Sequence, residues 1–64
     1  MCLSSVYKKD PEGDVFLCKN IARVLPKDGK VVCYDLMGQK TVFEGEILDI
    51  DLMENIILIK EKEK

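Results

Sequence analysis

The residues able to do chemistry in this chain are few, and the first stands at its start, in the pair Met1-Cys2. The side chain after Met1 is small, so the initiator methionine is removable. An N-terminal cysteine then chelates a metal through its amine and thiolate in a five-membered ring. With Met1 retained, the Cys2 amide nitrogen plays the same part once a metal displaces its proton. One chain supplies one sulfur and one nitrogen, and a two-fold dimer with adjacent N-termini supplies two of each. Planar or tetragonal N/S coordination suits Ni(II) or Cu(II), whereas Zn(II) prefers a tetrahedron. The affinity order puts copper ahead of nickel, so selectivity rests on geometry and metal supply. Because the thiol must lose its proton, such binding weakens as pH falls. The competing reading of Cys2 is a small buried hydrophobe of a first strand, the ordinary state of a free cysteine.

Other candidates carry less. Cys18 and Cys33 lie in strand-like runs, belong to no C-x-x-C pair, and read as core residues rather than a zinc ribbon. Asp49 and Asp51, with Glu54 nearby, lack the further oxygens and the glycine of a calcium loop, and read as the wet face of a strand. Histidine is absent, which removes the usual general base near neutral pH, the Ser-His and Cys-His pairings and the commonest metal ligand. A catalyst would have to rest on carboxylates, lysines or a bare thiol, so the chain does not read as an enzyme. Gathered on one side of a barrel beside Tyr7, Phe16, Tyr34 and Phe43, the residues Lys8, Lys9, Lys27, Lys30 and Lys40 would offer a surface for single-stranded RNA. Ten basic residues against twelve acidic ones, a net charge of -2, count against nucleic acid, and the core itself needs the aromatics.

The elements that position these residues are short. Turn signals at Asp10-Pro11-Glu12-Gly13, Pro26-Lys27-Asp28-Gly29 and Leu36-Met37-Gly38-Gln39 separate β-rich runs at 2–8, 14–18, 21–25, 30–35 and 40–43. After a bend or bulge at Glu44-Gly45, Leu48, Ile50 and Leu52 alternate with Asp49 and Asp51, and Met53-Glu54-Asn55 turns the chain into Ile56–Ile59. The pattern predicts an all-β fold, a small antiparallel barrel or sandwich of six to seven short strands. Residues 1–60 form one domain, and 61–64 end a charged, frayed tail that alternates in sign from Lys60.

A chain of 64 residues buries little core, and Ile56–Ile59 is apolar on both faces, so this strand is either buried on both sides or placed at a subunit contact. A two-fold homodimer is expected. The odd cysteine count, the lack of a leader-like start and the lack of a long apolar run predict a reduced cytoplasmic protein without a membrane span.

The opening Met1-Cys2-Leu3, the turn near Gly13, and the ending Asp51-Leu52, a three-residue turn and an apolar strand together resemble the CooT-type nickel-binding proteins, accessory factors of carbon monoxide dehydrogenase maturation. The resemblance covers nearly the whole chain. It implies a β-barrel-like homodimer holding one Ni(II) between the N-terminal cysteines of its subunits, with a nickel enzyme such as carbon monoxide dehydrogenase as partner. Only Cys2 inherits the ligand role; Cys18 and Cys33 have no counterpart in the motif. Members of the family are also labelled predicted RNA-binding proteins. The alternative is therefore a small barrel that binds RNA or another protein, with Cys2 structural.

Overall fold

The computed structural model describes residues 3–62. Its five strands are β1 (Ser4–Lys8), β2 (Val15–Lys27), β3 (Lys30–Asp35), β4 (Lys40–Asp51) and β5 (Ile56–Glu61). Each pairs with the next, and β5 returns to β1, so the sheet closes into a barrel rather than splitting into a sandwich. Successive pairs are antiparallel. An odd number of strands in a meander leaves the first and last running the same way, so the closing pair, Ser5↔Ile56 to Lys8↔Ile59, is parallel. The expectation of a wholly antiparallel arrangement fails at this one seam.

The expected six to seven strands are five because two pairs of predicted runs are continuous. β2 joins the runs at 14–18 and 21–25 through Asn20, whose φ of 59 lies in the left-handed region that asparagine tolerates. β4 joins the run at 40–43 to the alternating segment through Gly45, at φ 150. Each long strand thereby serves two neighbours. The first half of β2 pairs with β1 and the second with β3, while β4 pairs first with β3 and then with β5. Closing so few strands into a ring requires such bends, and glycine and bulges make them. At Gly45 the backbone of β5 comes so close that a Cβ would collide with the Lys60 carbonyl.

The interior holds Val6, Ile21, Val31, Cys33, Ile57 and Ile59, with Leu17, Cys18, Val24, Phe43 and Ile47 packed around them. In β5, Ile57 and Ile59 are buried while Ile56 and Leu58 are half-buried outside, which accounts for a run apolar on both faces. Of the aromatics, only Phe43 packs against this core. Phe16 is exposed and meets Tyr7 edge to face, with ring centres 5.6 Å apart, so the core uses fewer rings than the sequence suggested.

Two further expectations are corrected. The expected alternation of Leu48, Ile50 and Leu52 with Asp49 and Asp51 is interrupted by a register shift between Ile47 and Asp49. Ile47 sits opposite Ile59 and Ile50 opposite Ile57, while Leu48, Ile50 and Leu52 all remain exposed. The charged end is also paired further than expected. β5 runs through Glu61, which accepts an ion pair from Lys8 at 3.5 Å, and the Lys62 N–H donates to the Glu44 carbonyl at 2.7 Å. Among the described residues, no helix is long and apolar enough to cross a membrane.

Candidate functional site

Cys2 lies outside the described residues, but the rim from which β1 begins is well defined. Ser4 stands opposite Ile21 of β2, and the Ser5 N–H donates to the Asn55 carbonyl at 2.9 Å. Beside Ile21, the Asn20 carbonyl accepts the Leu36 N–H at 2.9 Å. These bonds bring the β3–β4 turn and the β4–β5 turn to either side of the start of β1.

Both turns present apolar side chains to solvent. Met37 is 83% exposed, Leu52 81% and Met53 90%, with Leu36 at 56%. The turns are held in shape by aspartates. The Asp35 carboxylate accepts the N–H groups of Met37 and Gln39 at 2.9 and 2.8 Å, and Asp51 accepts those of Met53 and Glu54 at 3.0 Å each. Aspartate is suited to this because its short side chain reaches the backbone N–H groups that follow it. Asp51, read from the sequence as a solvated strand acid, thus serves a turn. The apolar rim was missed because Leu36, Met37 and Met53 were read as turn residues and Leu52 as part of a strand face; large apolar side chains inside a turn were the signal that exposed hydrophobes gather there.

The other two cysteines face inward. Cys33 is fully buried, opposite Val24, and Cys18 is half-buried, opposite Val6. Burial pushes the Cys33 thiol up to about 11, with a smaller contribution from the neighbouring Cys18, and burial also raises Cys18. Thiols held in the protonated form are poor nucleophiles and poor metal ligands. Among the described residues, no group of three or more histidine, cysteine, aspartate or glutamate side chains is arranged to hold a metal.

The predicted lysine surface is brought together in part. Lys27, Lys30 and Lys40 fall on the outer face of β2, β3 and β4, joined by Arg23 and Tyr34. Lys8 belongs elsewhere, on β1, paired with Glu61. A groove of about 660 Å³ on the far side, floored by Pro11, Leu48 and Leu58, has charges of both signs at its edge, including Lys9, Asp49 and Lys60.

This fold defines a class, the single-sheet barrel of five strands, whose interior is filled by side chains. Within that class the chain belongs to the CooT family, whose model, described as CO dehydrogenase accessory protein CooT, matches residues 1–60. It is therefore an accessory protein and not itself an enzyme. Among solved structures, the chain is similar to a crystal structure assigned to CooT from Carboxydothermus hydrogenoformans, with a TM-score of 0.84 at 16% identity, covering 97% of this chain and 100% of that one. At that identity the likeness speaks for the fold. No curated protein matches the sequence.

Proposed function

We propose that this protein binds Ni(II) through Cys2 and carries it to, or stores it for, a nickel enzyme of the carbon monoxide dehydrogenase kind. The observation that carries the reading is membership of a family of CO dehydrogenase accessory proteins by a chain that opens Met1-Cys2. The described cysteines support it by elimination, since both are core thiols whose protonated form is favoured. Cys2 is the remaining thiol of the sequence.

The chemistry follows from the ligand set. One Cys2 thiolate and one backbone nitrogen give half of a square-planar site, and a second subunit completes an S2N2 set suited to Ni(II). The apolar rim around the start of β1 supports a subunit contact there, because side chains such as Leu52 and Met53 gain by leaving water together. Hand-over of a metal needs a site that a client can reach. A client's ligands can then replace the carrier's one at a time, which a closed four-cysteine site resists.

The test is a titration of reduced protein with Ni(II), followed by charge-transfer absorption, with Cys2→Ser as the control. Saturation at one metal per two chains, lost in the variant while its circular dichroism is unchanged, is the expected result. Equal binding by Cys2→Ser, or none by the native chain, ends the nickel reading.

A further inference from the structure

We infer that the second half of β4, over residues 46–51, is a free sheet edge that accepts an extended segment of a partner protein as an added strand. The ring closes through bent strands, and each half of a bent strand has a neighbour on one side only. β4 pairs with β3 over Lys40 to Glu44 and with β5 over Gly45 to Asp51. On the β3 side, the Gly45 N–H still donates to the Gly29 carbonyl at 2.9 Å. Beyond that bond, none of the described strands lies on this side of β4. A recess of about 530 Å³ opens there between Glu46, Ile47 and the turn that joins β2 to β3. Main-chain N–H and C=O groups along an unpaired edge are a template for another strand.

The side chains of this edge are as open as its backbone. Leu48, Asp49 and Ile50 are exposed in succession, so both faces of the strand meet solvent there. Ile50 stands opposite Ile57, which is buried, yet is itself 52% exposed. It therefore lies on the core side of the sheet with cover from β5 alone. An added strand brings an aliphatic side chain to its other flank and removes that apolar surface from water. The other free half-strand with exposed apolar residues at its start, residues 15–20 of β2, is less available. Its far end is taken where the Leu36 N–H donates to the Asn20 carbonyl, and the Phe16 ring already packs on Tyr7.

Cross-strand pairing defines the occupant. On β5, Lys60 stands opposite Glu46, whereas Asp49 and Asp51 stand opposite Leu58 and Ile56. The Asp51 carboxylate is engaged by the N–H groups of its own turn. Asp49 is thus the acid that a single cation on the added strand would meet directly across. A second copy of the chain suits the edge less well. Antiparallel pairing of β4 with itself, centred on Asp49, sets that acid against its own image; centred on Ile50, it sets Asp49 against Asp51. Like charges directly opposite one another are destabilising. Acids and a bulge, here between Ile47 and Asp49, are devices that keep an edge from indiscriminate pairing. They leave this one selective for a strand of different sequence, aliphatic beside Ile50 and cationic beside Asp49. The assignment does not depend on the nickel reading, because none of its residues is a metal ligand there.

The experiment is fluorescence anisotropy on the metal-free full chain with a short labelled peptide, valine and threonine in alternation and one central threonine replaced by lysine. Binding is expected at a dissociation constant on the order of 100 μM, the strength of a small transient contact. The same peptide N-methylated throughout, which keeps the side chains and removes the main-chain donors, should not bind. A central glutamate in place of the lysine should weaken binding about fivefold, and Asp49→Lys should invert that preference. Leu48→Ser with Ile50→Ser should cost about tenfold, and Val42→Ser, on the other half of β4, nothing. Circular dichroism of each variant separates lost binding from lost folding. Amide hydrogen exchange should show new protection within residues 46–51 when the peptide is bound. The proposal is overturned if the peptide does not bind at millimolar concentration, if the N-methylated form binds as well, or if protection appears on β2 instead. It is equally overturned if Leu48→Ser with Ile50→Ser changes the sedimentation of the protein alone, which gives the edge to a second copy.

Discussion

At the scale of single residues, the three cysteines divide by environment. A thiol acts as nucleophile or ligand only after losing its proton, and the barrel interior opposes that loss. The thiol of Cys33 ionises in the folded state at about 11, against an ordinary 9.0. Its native form holds the proton where the unfolded form has released it, so the unfolded state binds fewer protons and stability falls as pH rises. The contribution is complete below about pH 9 and disappears as pH passes through about 11. Urea unfolding at a series of pH values should therefore show a decline across that window that is smaller in Cys33→Ala. That variant should itself be less stable by about 1–2 kcal/mol at neutral pH for the cavity it leaves. Equal slopes in the two proteins would show that the thiol does not titrate between these limits. Cys2, which lies outside the described residues, stands as the proposed ligand on the sequence alone.

At the scale of elements, the long strands depend on their bends. Gly45 lets β4 leave β3 and take up β5 while the backbones touch, and a methyl group there would strike the Lys60 carbonyl at a φ of 150. Gly45→Ala should cost about 3 kcal/mol, as overpacking against backbone adds to an unfavourable φ. Gly13→Ala, at φ 129 in a turn with open space around it, should cost only about 1 kcal/mol. Thermal unfolding of the two variants measures the difference, and equal losses would mean that the close approach at Gly45 contributes nothing. A glycine followed by an alternating segment was readable as a bend. That the strand continues through it was not, because continuity depends on which neighbours lie on each side.

At the scale of the whole molecule, the question is how so small a barrel covers its exposed apolar rim. The dimer proposed with the metal site places Leu52, Met53, Leu36 and Met37 in or near the contact, since they surround the start of β1. Sedimentation at tens of micromolar should then report twice the chain mass. Replacing Leu52 and Met53 together by glutamate should shift the protein to monomer and weaken the shared metal site, with the barrel intact because both side chains lie outside its core. A native protein that sediments as a monomer throughout, or a double variant that dimerises as before, would remove the rim from the interface.

By itself the sequence determined the all-β class, β3 over Lys30–Asp35 and the turn after it, because period-two patterning and turn residues are local properties. It also supplied Cys2 as the candidate ligand on which the proposed function rests. Tertiary structure decided the rest. The number of strands, the parallel seam between β1 and β5, the loss of alternation after Ile47 and the gathering of Arg23, Lys27, Lys30 and Lys40 on one face all depend on register between strands distant in sequence. A one-residue shift in pairing moves a side chain from inside to outside, and only closure of the ring sets where the shifts fall.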